Sequence, residues 1–266
     1  GAVGCITVLK GQSLIGDAIG HAAFPGIVLS FMLFMQREPV LLTLGAVVSG
    51  TTAFILIQVI KENSKLKLDA ILAVVLSSFF GVGMVLKSHI QGNSTYKDAA
   101  QSGLSSYIFG QAAYIMKDDV KLIVYVGIPM LVLLILFYKE IKVFLFDEIY
   151  ASTIGIKTVL LYGIILVMTM GIIATGLKLV GAILISSLLI IPAITALQWS
   201  DKFGWVLIIA GVVGGVSALI GTYISTAYEG MSTGATIILI MGSLAIISLV
   251  IGPHGMIKNL RMRRQG

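Results

Sequence analysis

Eight long apolar stretches divide this chain, and they constrain its fold more than any other feature of the sequence. A helix needs about 20 predominantly apolar residues to cross the hydrocarbon core of a bilayer. The stretches are Ser13–Met35, Val40–Ile60, Asp69–Leu86, Val120–Tyr138, Val159–Gly176, Val180–Trp199, Phe203–Ala227 and Ala235–Ile251. They are continuous and lack the alternation of barrel strands, so they predict an all-α, polytopic transmembrane bundle of about eight spans.

The composition also indicates a lipid environment. Hydrophobic residues make up 58% of the 266 positions and charged residues only 11%, whereas a soluble domain carries about a quarter charged residues. The net charge of +6 does not indicate nucleic-acid binding, because the basic residues lie mostly in short breaks between apolar runs. Membrane proteins keep such residues in cytoplasmic loops. We therefore expect a multi-pass protein of the lipid bilayer that binds no nucleic acid.

The basic residues predict the orientation of the second half of the chain. The tail Lys258–Arg264 is expected in the cytoplasm, and counting spans backwards places Lys139–Lys157 in the cytoplasm and Lys117–Lys121 outside. Leu104–Met116 is apolar but only 13 residues long, which is short for a span and compatible with a re-entrant helix. If this segment does not cross, the lysines of Lys61–Lys67 are cytoplasmic. If it crosses, the first half of the chain inverts, and the sequence leaves both orientations open.

Several catalytic motifs are missing from the sequence. It contains no GxxxxGK[ST] phosphate-binding loop and no HExxH zinc-protease motif. The chain therefore does not hydrolyse ATP in the P-loop manner. No nucleophile–base or paired-carboxylate motif indicates an intramembrane enzyme either, so we expect a transport subunit.

Asp17 and His21 are the ionisable residues most indicative of function. They lie in the first apolar stretch, four positions apart, so on a helix their side chains share one face, one turn apart. A carboxylate and an imidazole placed in this way can both reach one cation. This oxygen–nitrogen donor pair suits manganese, iron or zinc better than calcium or potassium. Because a charge in hydrocarbon is costly, such residues are most often functional.

The same pair has a purely structural alternative, in which Asp17 and His21 satisfy each other by hydrogen bonding. Spacing alone does not choose between the two interpretations. One Asp and one His are also too few ligands for a divalent ion, whereas two copies meeting at a dimer axis would supply four. An imidazole must be neutral to ligate a metal, so we expect transport to weaken at acid pH.

A predicted helix break follows the pair. Pro25 cannot donate a backbone hydrogen bond and disturbs the helix one turn later. Gly16, Gly20 and Gly26 leave room for another backbone or a hydrated ion. A weakened helix beside a polar pair is typical of a translocation path, so Pro25 and Gly26 are interpreted as the helix break of that path.

Four ordered segments carry a family resemblance. They are Leu9–Leu14 together with Gly16–Gly26, then Tyr107–Gln111, Phe146–Gly155 and Val180–Ala196. They resemble the L-R-G-x-S-L and GDAxSHAxxPG, YLFG, FDxxxAxxxG and VGxxLxxxLLxxPAxTA segments of the metal-type ABC permease family (ABC-3), which serves manganese, zinc and iron importers. The resemblance covers almost the whole chain. It implies a single permease domain over residues 1–266 in which the first family helix is truncated.

The resemblance implies roles for particular residues. Asp17 and His21 match the Asp and His that are implicated in metal coordination within the membrane in this family. Residues 139–158 match the cytoplasmic loop at which the permease meets its ATPase. The positions of this loop that match the motif are Phe146, Asp147, Glu148, Ala151 and Gly155.

The sequence departs from the family pattern at three places. Lys10 replaces the usual Arg, and Gly20 replaces the usual Ser. The segment Gly230–Gly234 lacks the Asp and Pro of the external D-x-P-x-G turn in the family, which argues against a metal role for this loop. None of these departures changes the Asp17–His21 pair.

The transporter implied by the resemblance has two permease subunits, two ATP-binding subunits and an extracytoplasmic metal-binding protein, and it lies in the bacterial cytoplasmic membrane. The second permease is identical or a paralogue. ATP belongs to the partner subunit, no covalent cofactor is expected, and the metal is the cargo. Manganese is favoured and zinc comes next, because the run Gly16–His21 looks closest to permeases of Gram-positive manganese systems. The alternatives are a proton-coupled secondary transporter, in which the pair relays protons, and an ABC permease for a metal chelate of the siderophore or cobalamin type.

Overall fold

Apolar segments of this length fold as helices in lipid, because each backbone N–H must find its acceptor within its own segment. The computed structural model describes residues 1–36, 38–93, 96, 117–228 and 231–256. Within these residues the chain forms eleven helices. They are α1 (Ala2–Leu9), α2 (Ile15–Ala22), α3 (Phe24–Phe34), α4 (Pro39–Asn63), α5 (Leu68–Gly92), α6 (Lys117–Leu136), α7 (Tyr138–Phe146), α8 (Glu148–Thr153), α9 (Thr158–Leu197), α10 (Phe203–Ala227) and α11 (Thr233–Ile251).

The predicted all-α, multi-span architecture is confirmed. Seven spans in the described part of the chain are long and apolar enough to cross a membrane, and an eighth is obtained if α6 and α7, which meet at a bend of 67°, form one broken span. Large apolar side chains on these helices are exposed, among them Leu33, Ile135 and Leu219, each at least 74% exposed. Helices that face lipid need no polar outer surface, which explains this exposure.

Gly181 divides the longest helix, α9. The helix is 40 residues long, but Gly181 has φ 77° and ψ 167°, a positive-φ conformation that glycine adopts at little cost. The segments on either side, Thr158–Leu177 and Val180–Leu197, are each long enough to span a membrane. A straight helix of 40 residues would be about 60 Å long, twice the hydrocarbon thickness. The sequence prediction of two successive spans in this region is confirmed.

One compact unit of the structure comprises Leu14–Leu131 and Val167–Ser186. In this unit α2, α3, α4 and α5 pack against one another. Helices α3 and α4 cross where Gly26 faces Gly45, and a Cβ atom on either glycine would collide with the backbone carbonyl of the other. Small residues at such a crossing let the two backbones come close, which is how helices in lipid gain packing contacts.

Two hydroxyl groups add hydrogen bonds within this unit. The Ser30 hydroxyl donates to the Leu41 carbonyl at 2.9 Å, which links α3 to α4. The Ser49 hydroxyl donates to the Ala22 carbonyl at 2.6 Å, which links α4 to the end of α2. In lipid no water can satisfy these groups, so each bond also removes an unsatisfied polar atom.

The other compact unit comprises Gly1–Ser13, Val132–Leu166 and Ser187–Gly266. In this unit α1 packs on α10, α10 packs on α11, and α7 contacts α8. The Trp199 indole N–H donates to the Ser248 hydroxyl at 3.0 Å. At α1, a Cβ atom on Gly4 would overlap the Leu189 backbone, and the Cys5 thiol lies 3.8 Å from the Val206 carbonyl oxygen.

Some predictions concern residues outside the described part of the chain. They are the possible re-entrant segment 104–116, which includes the segment Tyr107–Gln111, the first residue of the external turn, Gly230, and the basic tail Lys258–Arg264. The single permease domain over residues 1–266 and the coupling loop over residues 139–158 stay predictions.

Candidate metal site

Asp17 and His21 lie on α2, a short helix of eight residues, Ile15–Ala22. Together with α3 it forms an apolar segment of 20 residues that is long enough to span a membrane. The Nε2 atom of His21 is 3.6 Å from the Oδ1 atom of Asp17, as the four-residue spacing predicts for one helix face. The side chains are 19% exposed for His21 and 34% for Asp17, so both are partly shielded and still reachable.

The structural alternative, in which Asp17 and His21 only satisfy each other, requires a hydrogen bond between the two side chains. A nitrogen–oxygen hydrogen bond is normally 2.7–3.2 Å long, and 3.6 Å lies outside that range. The carboxylate and the imidazole are therefore close enough to contact one ion, yet they do not form a normal hydrogen bond to each other. In addition, the His21 Nδ1 atom is buried and has no hydrogen-bond partner among the described residues.

The His21 ring is held by an aromatic side chain. Phe80 of α5 forms a T-shaped pair with the imidazole, with ring centroids 5.1 Å apart and an interplanar angle of 86°. Phe80 also contacts Phe24, at the start of α3, with ring centroids 5.9 Å apart. Metal-binding histidines usually donate their second nitrogen to a carbonyl or a carboxylate. Here an aromatic contact orients the ring instead, and the sequence had not identified Phe80, because it is 59 positions away from His21.

Helix α2 ends at Ala22, and α3 begins at Phe24 with Pro25 in its first turn. Ala23, between them, keeps helical φ and ψ of −71° and −23°, so the break interrupts the hydrogen-bond ladder more than the path of the backbone. Pro25 and Gly26 line a cavity of about 700 Å³ between α3, α4 and α5, whose lining is mostly apolar. Asp17 and His21 are not in this lining. The pathway role of Pro25 and Gly26 stays a prediction.

Within one chain, the Asp17–His21 pair offers only two candidate metal ligands. In the residues that the structure describes, no group of three or more His, Cys, Asp and Glu side chains is placed to hold a metal ion. Zinc in proteins takes four ligands, or three with an open position, and manganese takes more. Full coordination would therefore need ligands from outside these residues.

The second predicted site, Phe146–Gly155, contains α8. Asp147 caps this helix, because its Oδ1 atom accepts a hydrogen bond of 2.8 Å from the Tyr150 N–H. Ala151 is fully buried, whereas Ile149 and Tyr150 of the same helix are 78% and 55% exposed. Phe146, the last residue of α7, is 63% exposed. Helix α8 therefore presents an apolar face that the described residues leave uncovered, as a surface for a partner protein would.

The way in which α8 ends explains why the segment Phe146–Gly155 has a glycine at position 155. The Gly155 N–H donates to the Ser152 carbonyl at 3.2 Å, and the Ile156 N–H donates to the Ala151 carbonyl at 3.0 Å. These two bonds form a Schellman motif, which requires a left-handed residue after the helix. Gly155 supplies it with φ 87°. The spacing of Asp147, Ala151 and Gly155 thus matches an N-cap, a buried contact and a C-terminal stop.

Both the sequence and the structure are similar to those of known proteins. Residues 1–252 match the ABC 3 transport family. Over its whole length the chain is 39% identical to the manganese transport system membrane protein MntC of Bacillus subtilis (strain 168), and it spans 61% of the length of that protein. It is 35% identical to the zinc transport system membrane protein TroC of Treponema pallidum (strain Nichols), covering all of this chain and 88% of that protein.

A solved structure with the same fold is PsaBC from Streptococcus pneumoniae in complex with Fab. It aligns with a TM-score of 0.84 at 30% identity, and the alignment covers 98% of this chain and 89% of that one. A TM-score of this size over nearly the entire chain shows that the two chains share a fold.

Proposed function

The chain belongs to the ABC 3 transport family, and from this premise we propose that it is the permease subunit of an ATP-driven importer whose cargo is a divalent metal ion. It is a multi-span membrane protein and not an enzyme, and ATP hydrolysis belongs to a separate subunit. The protein lies in the bacterial cytoplasmic membrane. An extracytoplasmic metal-binding protein delivers the ion to it.

The Asp17–His21 pair is the observation that carries the proposal. A carboxylate and an imidazole 3.6 Å apart on one face of α2 offer an oxygen and a nitrogen ligand inside an apolar segment. The His21 Nδ1 atom has no partner among the described residues. Ionisable groups at membrane depth usually mark an ion path. We assign them as the residues that hold the ion in passage.

A second permease subunit completes the site in this proposal. One chain supplies two ligands, and two chains related by a dimer axis supply four, which suits zinc and is a partial set for manganese. The second subunit is an identical chain or a paralogue. Water or substrate-side groups would fill the remaining positions for manganese.

The exposed apolar face of α8 is the proposed docking surface for the ATP-binding subunit. Ile149 and Tyr150 are its exposed large side chains, and Phe146, the last residue of α7, is exposed as well. A short capped helix is rigid, so a movement of the ATP-binding subunit would displace α8 as a body. The Asp147 cap and the Gly155 turn keep its ends intact during that movement.

Manganese is the favoured cargo, and zinc comes next. The Bacillus subtilis relative is named for manganese and the Treponema pallidum relative for zinc. An Asp–His ligand pair is compatible with both ions, and selectivity between them depends on geometry and on ligands from the second subunit. A proton-coupled secondary transporter would use the same pair as a proton relay, but it would need no ATP-binding subunit. A permease for a metal chelate needs a wide path and no ligand pair.

The test is metal uptake by cells that lack their own manganese and zinc importers. The permease is expressed with its ATP-binding subunit and its extracytoplasmic binding protein, and the wild type is compared with Asp17→Ala and His21→Ala. Manganese and zinc uptake are measured separately. The matched control is another Asp–His pair among the described residues, Asp201 and His254, 3.2 Å apart and more exposed.

We expect Asp17→Ala and His21→Ala to abolish uptake of one metal while the ATP-binding subunit still co-purifies. Asp201→Ala and His254→Ala should transport normally. If both α2 variants transport like the wild type, the pair is structural and the proposed site is wrong. If the wild-type protein moves a metal without any ATP-binding subunit, the secondary-transporter alternative replaces this proposal.

A further inference from the structure

The Lys10 ammonium lies among three side chains around the start of α8. Its Nζ atom is 3.4 Å from the Glu148 Oε2 atom. It also lies 3.4 Å from the centroid of the Phe144 ring and 3.7 Å from that of the Tyr162 ring. The two rings are themselves edge-to-face, 4.9 Å apart. One cation is thus held by a carboxylate and two aromatic rings.

These three partners come from three successive elements. Phe144 is near the end of α7, Glu148 is the first residue of α8, and Tyr162 is in the first part of α9. Lys10 itself follows α1 directly. A single charge therefore connects the end of α1 to both helices that flank α8 and to α8 itself.

The Lys10 ammonium is shielded from water, which strengthens its interactions with Glu148 and the two rings. The Lys10 side chain is only 16% exposed, and Phe144 is 1% exposed. A cation over an aromatic ring gains more when it is shielded from water. Glu148 is 48% exposed, so its carboxylate stays hydrated if the lysine charge is removed. Loss of the Lys10 charge should therefore weaken the connection without stranding a buried carboxylate.

Lys10 lies close in the sequence to α2, the helix that carries Asp17 and His21. Four residues, 11–14, separate it from Ile15, the first residue of α2. The chain that is tied to α8 through Lys10 thus continues directly into the helix that carries Asp17 and His21. A short segment of this kind transmits a displacement better than a long flexible loop.

We propose that Lys10 is a positioning residue that couples movement of α8, the proposed ATPase-docking helix, to the segment that leads into α2. This inference rests on the proposed function, because it assigns a role within an ATP-driven transporter. In this role, the charge of Lys10 sets how much metal moves for each ATP hydrolysed. A merely structural lysine would affect the amount of folded protein and not this ratio.

The test uses the complete transporter in proteoliposomes, with its ATP-binding subunit and with manganese-loaded binding protein. ATP hydrolysis and manganese transport are measured on the same preparation, and their ratio is the readout. The variants are Lys10→Met, which removes the charge, and Lys10→Arg, which retains it and can stack on aromatic rings. The control is Lys202→Met, an exposed lysine before α10.

We expect Lys10→Met to assemble and hydrolyse ATP within about twofold of the wild type, and to move about fivefold less manganese per ATP, because the ion pair and both ring contacts are lost. Lys10→Arg should retain at least about half of the wild-type ratio, since its charge remains. Lys202→Met should leave the ratio unchanged. An unchanged ratio in Lys10→Met would overturn the inference.

Glu148→Gln keeps the inference testable if Lys10→Met does not assemble. It removes the carboxylate charge that faces Lys10 and leaves the two rings, so it should lower the ratio by a smaller factor than the loss of Lys10. An unchanged ratio in Glu148→Gln would then refute the inference. Failure of the proposed function is distinct, because in that case the wild-type complex itself would transport neither manganese nor zinc.

Discussion

The imidazole of His21 and the phenyl ring of Phe80 form a T-shaped pair, with the ring centroids 5.1 Å apart and the ring planes at 86°. Through this contact α5 orients a residue of α2 that is a proposed metal ligand. The Nε2 atom of the same imidazole is 3.6 Å from the Asp17 Oδ1 atom. A ligand oriented in advance binds a metal with a smaller loss of conformational freedom.

Removal of the Phe80 ring should weaken metal binding without preventing folding. An edge-to-face pair contributes about 0.5–1.5 kcal/mol beyond buried area, so Phe80→Ala should raise the manganese Kd of the purified transporter by a few-fold to about tenfold. Titration calorimetry of the transporter with manganese would measure this. Phe79→Ala is the matched control, because Phe79 is the adjacent residue and lines the apolar cavity. Equal effects of the two variants would contradict the proposed role of Phe80.

Metal binding should fall as the pH is lowered. Protonation of the imidazole removes the lone pair with which it ligates a metal, so affinity is greatest with neutral His21 and declines on the acid side. The measurement is the manganese Kd across a pH series. His254→Gln should have the wild-type profile, and a profile that is flat in the wild type would show that His21 is not a ligand.

A methyl group at the crossing of α3 and α4 should destabilise the protein. Ala at position 45 would push its Cβ atom into the Gly26 carbonyl, and overpacking of this kind typically costs about 1–3 kcal/mol. Gly45→Ala should therefore lower the thermal unfolding midpoint in detergent. Gly81→Ala is the control, since nothing lies within 4 Å of its added Cβ atom, and in a helix it should be neutral or stabilising by about 0.5–1 kcal/mol. If Gly45→Ala were as stable as Gly81→Ala, α3 and α4 could move apart at this crossing without loss of stability.

A polar residue on the exposed face of α8 should disrupt docking of the ATP-binding subunit. Ile149 is 78% exposed, so Ile149→Ser should leave folding intact. Truncation of a central apolar contact in an interface often costs more than 1 kcal/mol, so the affinity for the ATP-binding subunit should fall about tenfold. Co-purification, and binding of the ATP-binding subunit to immobilised permease, would measure the change. Thr153→Ala, a polar exposed position of the same helix, should bind normally. Normal binding of Ile149→Ser would place the docking surface elsewhere.

The sequence predicted the spans and the spacing of the candidate ligands well, because both depend on local order. A bilayer requires about 20 apolar residues per span, and the eight predicted stretches correspond to the seven spans and the bent pair that the described residues contain. Four-residue spacing places two side chains on one helix face whatever the helix packs against. The Asp17–His21 approach followed from that rule.

Contacts between elements could not be predicted in the same way. Phe80 against His21, Gly26 against Gly45, and Lys10 between Phe144 and Tyr162 each join residues far apart in sequence or on different helices. No local propensity specifies such pairs, because they depend on which helix faces meet when the helices pack in lipid.

The sequence by itself determined that the chain is a bundle of membrane helices and that one helix carries a carboxylate and an imidazole one turn apart. Both follow from periodicity and from the cost of exposing backbone polar groups in hydrocarbon. Only the tertiary structure decided what orients the imidazole and which partners hold the Lys10 charge beside α8. These depend on close packing between elements, in which a single atom, such as the absent Cβ of Gly26, decides how near two backbones can come.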